Sequence, residues 1–239
     1  MERANDTRTY WESVAETRWG AYVTDREREH LLDALERVEP GVSLEVGCEG
    51  GRWSHLIHTR GWHVICTDVD ESSLALCTAR LPDANCIHVD PDDRALPVDD
   101  KSVRLLLIYE VAQVIDSDWI LGEAARVLEP AGLFVCSTWN PRSLRGAAYR
   151  MLARVSKREV EGVRRFQDYY RGPPHGTFRK QLDEQGFDVL RERGLCWFPF
   201  GRSSNSRLVG PATTVERALG LARTPGLSPW VLTIAQRRP

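Results

Sequence analysis

From about residue 42 onward, short apolar runs alternate with amphipathic stretches, and glycine, proline and acidic residues separate them. That alternation predicts a parallel β-sheet with helices on both faces. Ser43 to Val46 reads as the first strand and runs into a turn, Gly47-Cys48-Glu49-Gly50-Gly51. A helix follows over about 52–60, closed by Gly61, and a second strand over Trp62 to Thr67 ends at Asp68. Ser72 opens the next helix, which Pro82 limits, and Cys86 to Val89 forms a short third strand. Val103 to Tyr109 is a continuous apolar run of the kind found at the centre of a parallel sheet. A helix over about 117–128 is expected to stop at Glu129-Pro130-Ala131-Gly132, before a fifth strand from Leu133 to Thr138. Residues 140–175 read as helical and basic, Thr177 to Gln185 as a helix, Phe187 to Leu195 and Trp230 to Ala235 as the last two strands.

The expectation is therefore one α/β domain over residues 1–239, a doubly wound, seven-stranded, mostly parallel sheet with its core over 40–138. Three segments fall outside the sheet. Residues 1–38 read as an N-terminal helical cover, and 140–175 and 197–226 as insertions that cover a substrate. A hydrophobic content of 42% and a charged content of 28% suit a globular chain. No apolar run reaches the roughly 18 residues of a membrane span, and the N-terminus is charged, so a cytoplasmic location is expected.

Charge changes the picture only locally. The net charge is −2, yet residues 141–180 hold eleven Lys/Arg against three Asp/Glu, while residues 1–140 hold thirteen against twenty-six. The basic stretch fits a solvated helical face, or a track for a phosphate-bearing partner. No RNA-binding module accompanies it, so a nucleic acid is not the expected partner. Six cysteines are present and no two form a C-x-x-C pair. Without ligands paired at short spacing no metal site is expected, and Cys66, Cys86 and Cys136 read as thiols packed in strands.

The strand–glycine turn–helix unit has its own chemistry. Glycines let the main chain approach a ligand, the helix that follows presents free N–H groups, and an acidic residue about 20 positions on can hold ribose hydroxyls. Asp68 has that spacing from Gly47, which fits several nucleotide-like cofactors, NAD among them.

Four motifs narrow the choice. Leu44-Glu45-Val46-Gly47-Cys48-Glu49-Gly50-Gly51 resembles the E-x-G-C-G-x-G loop of class I S-adenosylmethionine-dependent methyltransferases. Thr67-Asp68-Val69-Asp70 resembles their ribose-binding turn, and Asp92 to Val98 is similar to their D-A-x-x-L-P-F adenine loop. Arg126 to Leu133 is similar to R-V-L-K-P-G-G-x, and the paired strands near the C-terminus fit the same family. The likeness is to small-molecule enzymes of the ubiquinone/menaquinone-methyltransferase type.

This resemblance implies S-adenosyl-L-methionine as cofactor, with Glu45, Gly47 and Gly51 at its amino-acid end. It places Asp68 on the ribose, Val69 beside the adenine, and Asp92 on the adenine amino group with the main chain of Asp93 alongside; Asp90 could replace Asp92. Tyr109 and Glu110 would lie near the transferred methyl group. Arg18 could pair with the cofactor carboxylate, and His175 joins Glu110 and Tyr109 as a candidate for contact with the substrate. The expected reaction is in-line methyl transfer to a small-molecule acceptor. Two alternatives stay open: an RNA methyltransferase using residues 141–180, and a non-catalytic protein that binds the cofactor or a partner. The sequence departs from the family at Glu49 and Ala131, which replace glycines, and at Arg104, which replaces an acidic residue. If position 49 needs a positive φ, a glutamate there costs about 1–2 kcal/mol, so the loop is expected to shift by one residue.

Overall fold

A computed structural model of the chain describes residues 8–155 and 172–239. The strands are β1 Val42–Val46, β2 His63–Asp68, β3 Asn85–His88, β4 Val103–Ile108, β5 Leu128–Trp139, β6 Phe187–Leu195 and β7 Trp230–Arg237. They form one seven-stranded sheet in the order β3-β2-β1-β4-β5-β7-β6. β1 to β5 pair in parallel, and β7 lies antiparallel to both β5 and β6. The mostly parallel, doubly wound sheet expected from the sequence is the one observed.

β4 owes its place to its composition. Leu105 to Ile108 alternate between the two sheet faces, and all four are fully buried, so both faces are covered. β1 lies between β2 and β4, and the chain leaves it in opposite directions to build the two halves of the sheet. That is the switch point at which a crevice opens beyond the carboxyl ends of the strands.

The N-terminal cover consists of α1 Tyr10–Ala15 and α2 Arg18–Leu35. Thr9 caps α1 through a reciprocal bond with Glu12, and the Thr17 hydroxyl caps α2 by accepting from the Gly20 N–H. α3 Arg52–His58 and α4 Glu71–Arg80 follow the first two strands. α4 begins one residue before Ser72, because Asp70 is the cap and its carboxylate accepts from the N–H groups of Ser72 and Ser73. The helix expected over 117–128 is α6 Ile120–Val127, preceded by the short α5 Ala112–Ile115.

The stop signal at 129–132 does not interrupt the strand. Val103 pairs with Leu128 before a register shift, Ala131 takes a φ of 65°, and β5 absorbs the turn as an irregularity. Arg104 reaches Glu129 and the carbonyls of Glu39 and Pro40, which explains a cation at that position. Later come α7 Leu144–Val155, α8 His175–Glu184 and α9 Val209–Ala218. The rest of the basic stretch, 156–171, lies outside the described residues. Among the described residues no helix is long and apolar enough to cross a membrane.

Candidate functional site

The glycine loop turns on three residues in the left-handed region: Gly47 (φ 72°), Glu49 (φ 46°) and Gly51 (φ 78°). The one-residue shift expected for Glu49 does not occur; the glutamate itself adopts the conformation a glycine would take. Two contacts hold it there. Its main-chain N–H donates to Asp68 Oδ2 at 2.7 Å, and its carboxylate accepts from the Trp11 N–H at 3.3 Å, in the first turn of α1 where negative charge is favoured. Arg80 ties the same parts together by donating to Glu12 of α1 and to the Gly50 carbonyl at 2.8 Å.

A cavity of about 410 Å³ opens over this loop, within the roughly 300–1,000 Å³ range of small-molecule sites. The ends of β1, β2, β3 and β4 supply Gly47, Asp68, Asp90 and Glu110 to its wall. Asp68 is fixed by a second N–H, from Asp70 at 3.0 Å. Val69 also lines the cavity, and at 52% exposure it is a large apolar side chain left in the open. Asp93 is on the wall, whereas Asp92 is not: the Asp92 N–H donates to Asp90 Oδ1 at 2.8 Å, and its exposed side chain lies off the cavity. Asp90, rather than Asp92, therefore faces the cavity. Glu45 sits behind the loop, buried, accepting from the Ser54 hydroxyl of α3. Burial pushes its carboxyl up to about 8, so it holds a proton at neutral pH.

Among the described residues, six acidic side chains line the cavity (Glu49, Asp68, Asp90, Asp93, Glu110 and Asp118) against one basic side chain, Arg94. Such a wall favours a ligand that carries positive charge and works against a pyrophosphate. The donor set therefore suits a sulfonium- and ammonium-bearing cofactor better than a dinucleotide.

Tyr109 and Glu110 leave the end of β4 side by side. The Tyr109 hydroxyl is 2.9 Å from His30 Nδ1 in α2, and burial drives the His30 pKa down to about 3, keeping the ring neutral. Glu110 has a φ of 62°, and its N–H donates to Ser137 Oγ at 2.8 Å. A non-glycine residue in that region stores strain of the kind concentrated at functional sites. Its buried carboxyl lies beside that of Glu27 in α2, with Arg202 at 3.8 Å from Glu110 and Arg52 at 3.5 Å from Glu27. Burial holds Glu110 well above the ordinary carboxylate range, and the neighbouring Glu27 adds to the effect.

Other candidates lie elsewhere. Arg18 lines a separate depression with Arg26, Arg193 and Arg217, so it does not face this cavity. His175 Nε2 is 2.9 Å from Glu192 Oε1, beside Arg179, and is likewise not on the cavity wall. Trp139 packs edge-on against Trp230, which in turn meets Trp19, so these aromatics form core. Sequence reasoning missed Glu27, Arg202 and the meeting of Cys48, Cys66 and Cys77. Glu27 had a signal, since it falls on the buried stripe of α2 marked by Trp19, Val23 and Leu31 at fourfold spacing. The cysteines had none, because separate elements, not short spacing, bring their thiols within 4.8 Å of one another.

Comparison with known proteins gives the same frame. The methyltransferase domain family matches residues 44–136. A probable S-adenosylmethionine-dependent methyltransferase of Mycolicibacterium smegmatis is 35% identical over 98 residues, 41% of this chain and 37% of that protein. A fatty-acid O-methyltransferase of the same organism is 34% identical over 116 residues, 47% of this chain and 42% of the relative. The matched regions thus span less than half of these two curated relatives. The structure of geranyl diphosphate C-methyltransferase from Streptomyces coelicolor superposes with a TM-score of 0.61 at 16% identity, covering 99% of this chain and 84% of that one, which shows a shared fold. The glycine loop and the acidic end of β2 fall within residues 44–136, so it is this stretch that resembles the methyltransferase domain family, and the sheet order is that of the shared fold.

Proposed function

We propose that the chain transfers a methyl group from S-adenosylmethionine to a small, largely apolar acceptor. The observation that carries the reading is the acidic cavity built over a left-handed glycine loop at the β1/β4 switch point. When bound, S-adenosylmethionine supplies a methyl carbon made electrophilic by positively charged sulfur.

The chain's own residues bind, orient and shield. Gly47 lets the main chain come close to the amino-acid end, Asp68 would hold the ribose, and Val69, Asp90 and Asp93 would flank the base. Glu45 would act from behind by fixing α3 through Ser54. Trp11, Leu96, Val111, Val114 and Trp119 give the cavity apolar walls, which exclude water and suit an apolar acceptor. Alignment of two reactants in such a site is worth about 7–11 kcal/mol. Glu110 is the carboxyl on the cavity wall placed to exchange a proton with an acceptor, and burial beside Glu27 raises its proton affinity. The fatty-acid O-methyltransferase relative supports a small apolar acceptor.

The test is transfer of label from methyl-labelled S-adenosylmethionine to a panel of fatty acids, prenylated phenols, RNA and protein. Label in a small apolar acceptor, slowed by Glu110→Gln in a pH-dependent way, is the expected result. Label in RNA alone would overturn the small-molecule reading. Bound cofactor with no label in any acceptor would favour a non-catalytic role.

A further inference from the structure

Four of the six cysteines converge beneath the glycine loop. Cys48 belongs to that loop, Cys66 to β2, Cys77 to α4 and Cys86 to β3. The Sγ atoms of Cys48, Cys66 and Cys77 all lie within 4.8 Å of one another, and Cys86 Sγ is 3.7 Å from Cys77 Sγ. The first three are buried and Cys86 is half-buried. A tetrahedral thiolate site with metal–sulfur bonds of about 2.3 Å sets its sulfurs about 3.8 Å apart. Cys86 Sγ already stands at that spacing from Cys77 Sγ.

The geometry points to a binding site for one thiophilic cation, of the Zn²⁺ or Cu⁺ class, held by Cys48, Cys66 and Cys77 with Cys86 as the fourth ligand. A supporting shell is present too: Cys66 Sγ is 3.1 Å from Ser54 Oγ, and Ser54 is bonded to Glu45. From that position the Ser54 hydroxyl can donate to a metal-bound Cys66 thiolate. Cys136 and Cys196, by contrast, sit apart from the cluster, and burial pushes their thiols up. Binding a divalent ion to the trio forms three metal–sulfur bonds and releases three S–H protons; recruiting Cys86 releases a fourth.

The experiment uses the reduced, metal-free full chain, titrated anaerobically with Cd²⁺ as the probe. A thiolate-to-metal charge-transfer band that saturates at one equivalent, with one cadmium ion in the native mass spectrum, is the expected result. Cys66→Ala and Cys77→Ala should abolish the band, and Cys196→Ala should keep it. Because a core substitution can disturb folding, the wild-type titration stands as a test by itself. No band in folded wild-type protein overturns the site, as does a band that survives in folded Cys66→Ala. No methyl acceptor or cofactor enters, so the outcome is independent of the methyltransferase reading.

Discussion

The main-chain N–H of Glu49 donates to Asp68 Oδ2 at 2.7 Å, which couples the residue replacing a loop glycine to the acidic end of β2. Asp68 therefore holds the loop and faces the cavity at once. Asp68→Ala should weaken S-adenosylmethionine binding by about 10–100-fold, the worth of hydrogen bonds to a charged acceptor, while the far-ultraviolet circular dichroism stays native. Asp68→Asn keeps one acceptor oxygen and should recover part of the affinity. Unchanged affinity in the alanine variant, measured by calorimetry, would remove Asp68 from the site.

Glu49→Gly separates loop strain from loop anchoring. The glycine relieves about 1–2 kcal/mol of left-handed strain but loses the carboxylate that accepts from Trp11. Thermal stability should move little, while amide exchange at Trp11 should quicken by about tenfold, the worth of one modest hydrogen bond. Exchange at Trp11 as slow as in the wild type would show that α1 is held by Arg80 and Glu12 instead.

Gly51 has no room for a side chain. A Cβ there would meet Cys77 Sγ at 2.6 Å, and its φ is 78°. Gly51→Ala should cost about 2–5 kcal/mol, from left-handed strain plus overpacking. Gly61→Ala is the control, with a φ of 84° but open space around it, and should cost only the conformational part. Equal losses for the two variants in urea unfolding would contradict close packing of the loop on α4.

Much of the fold could be read from the chain because its strands advertise themselves. The apolar run of β4 and the paired β6 and β7 lie within a residue or two of their expected bounds. Local signals misled where tertiary contacts outweigh them. The turn residues at 129–132 stay in β5 because Val103 pairs with Leu128 ahead of them, and Glu49 keeps a glycine's conformation because Asp68 and Trp11 hold it. Gly47, Asp68 and Glu110 were legible as a site because they fall at strand ends in a recognisable order. Glu27 and Arg202 were not, since they reach Glu110 from α2 and from a distant loop across sequence separations that no motif encodes.

Glu45 gives the stability of the protein a pH signature. Its folded pKa of about 8 exceeds the ordinary 4.5, so between these values the folded state holds a proton that the unfolded state has lost. Stability is then greatest below the unfolded value and falls as pH rises through this window. Glu45→Gln keeps an acceptor for Ser54 and cannot ionise, so it should lose less stability across the window than the wild type. Parallel curves of unfolding free energy against pH would show that Glu45 does not carry the effect.

The most direct test of the central claim is calorimetric titration of the folded protein with S-adenosylmethionine and S-adenosylhomocysteine, with NAD as control. The acidic cavity and glycine loop predict saturable binding of the first two at one site and no binding of NAD. Binding of NAD alone, or of none of the three, would contradict the assignment of this cavity to S-adenosylmethionine.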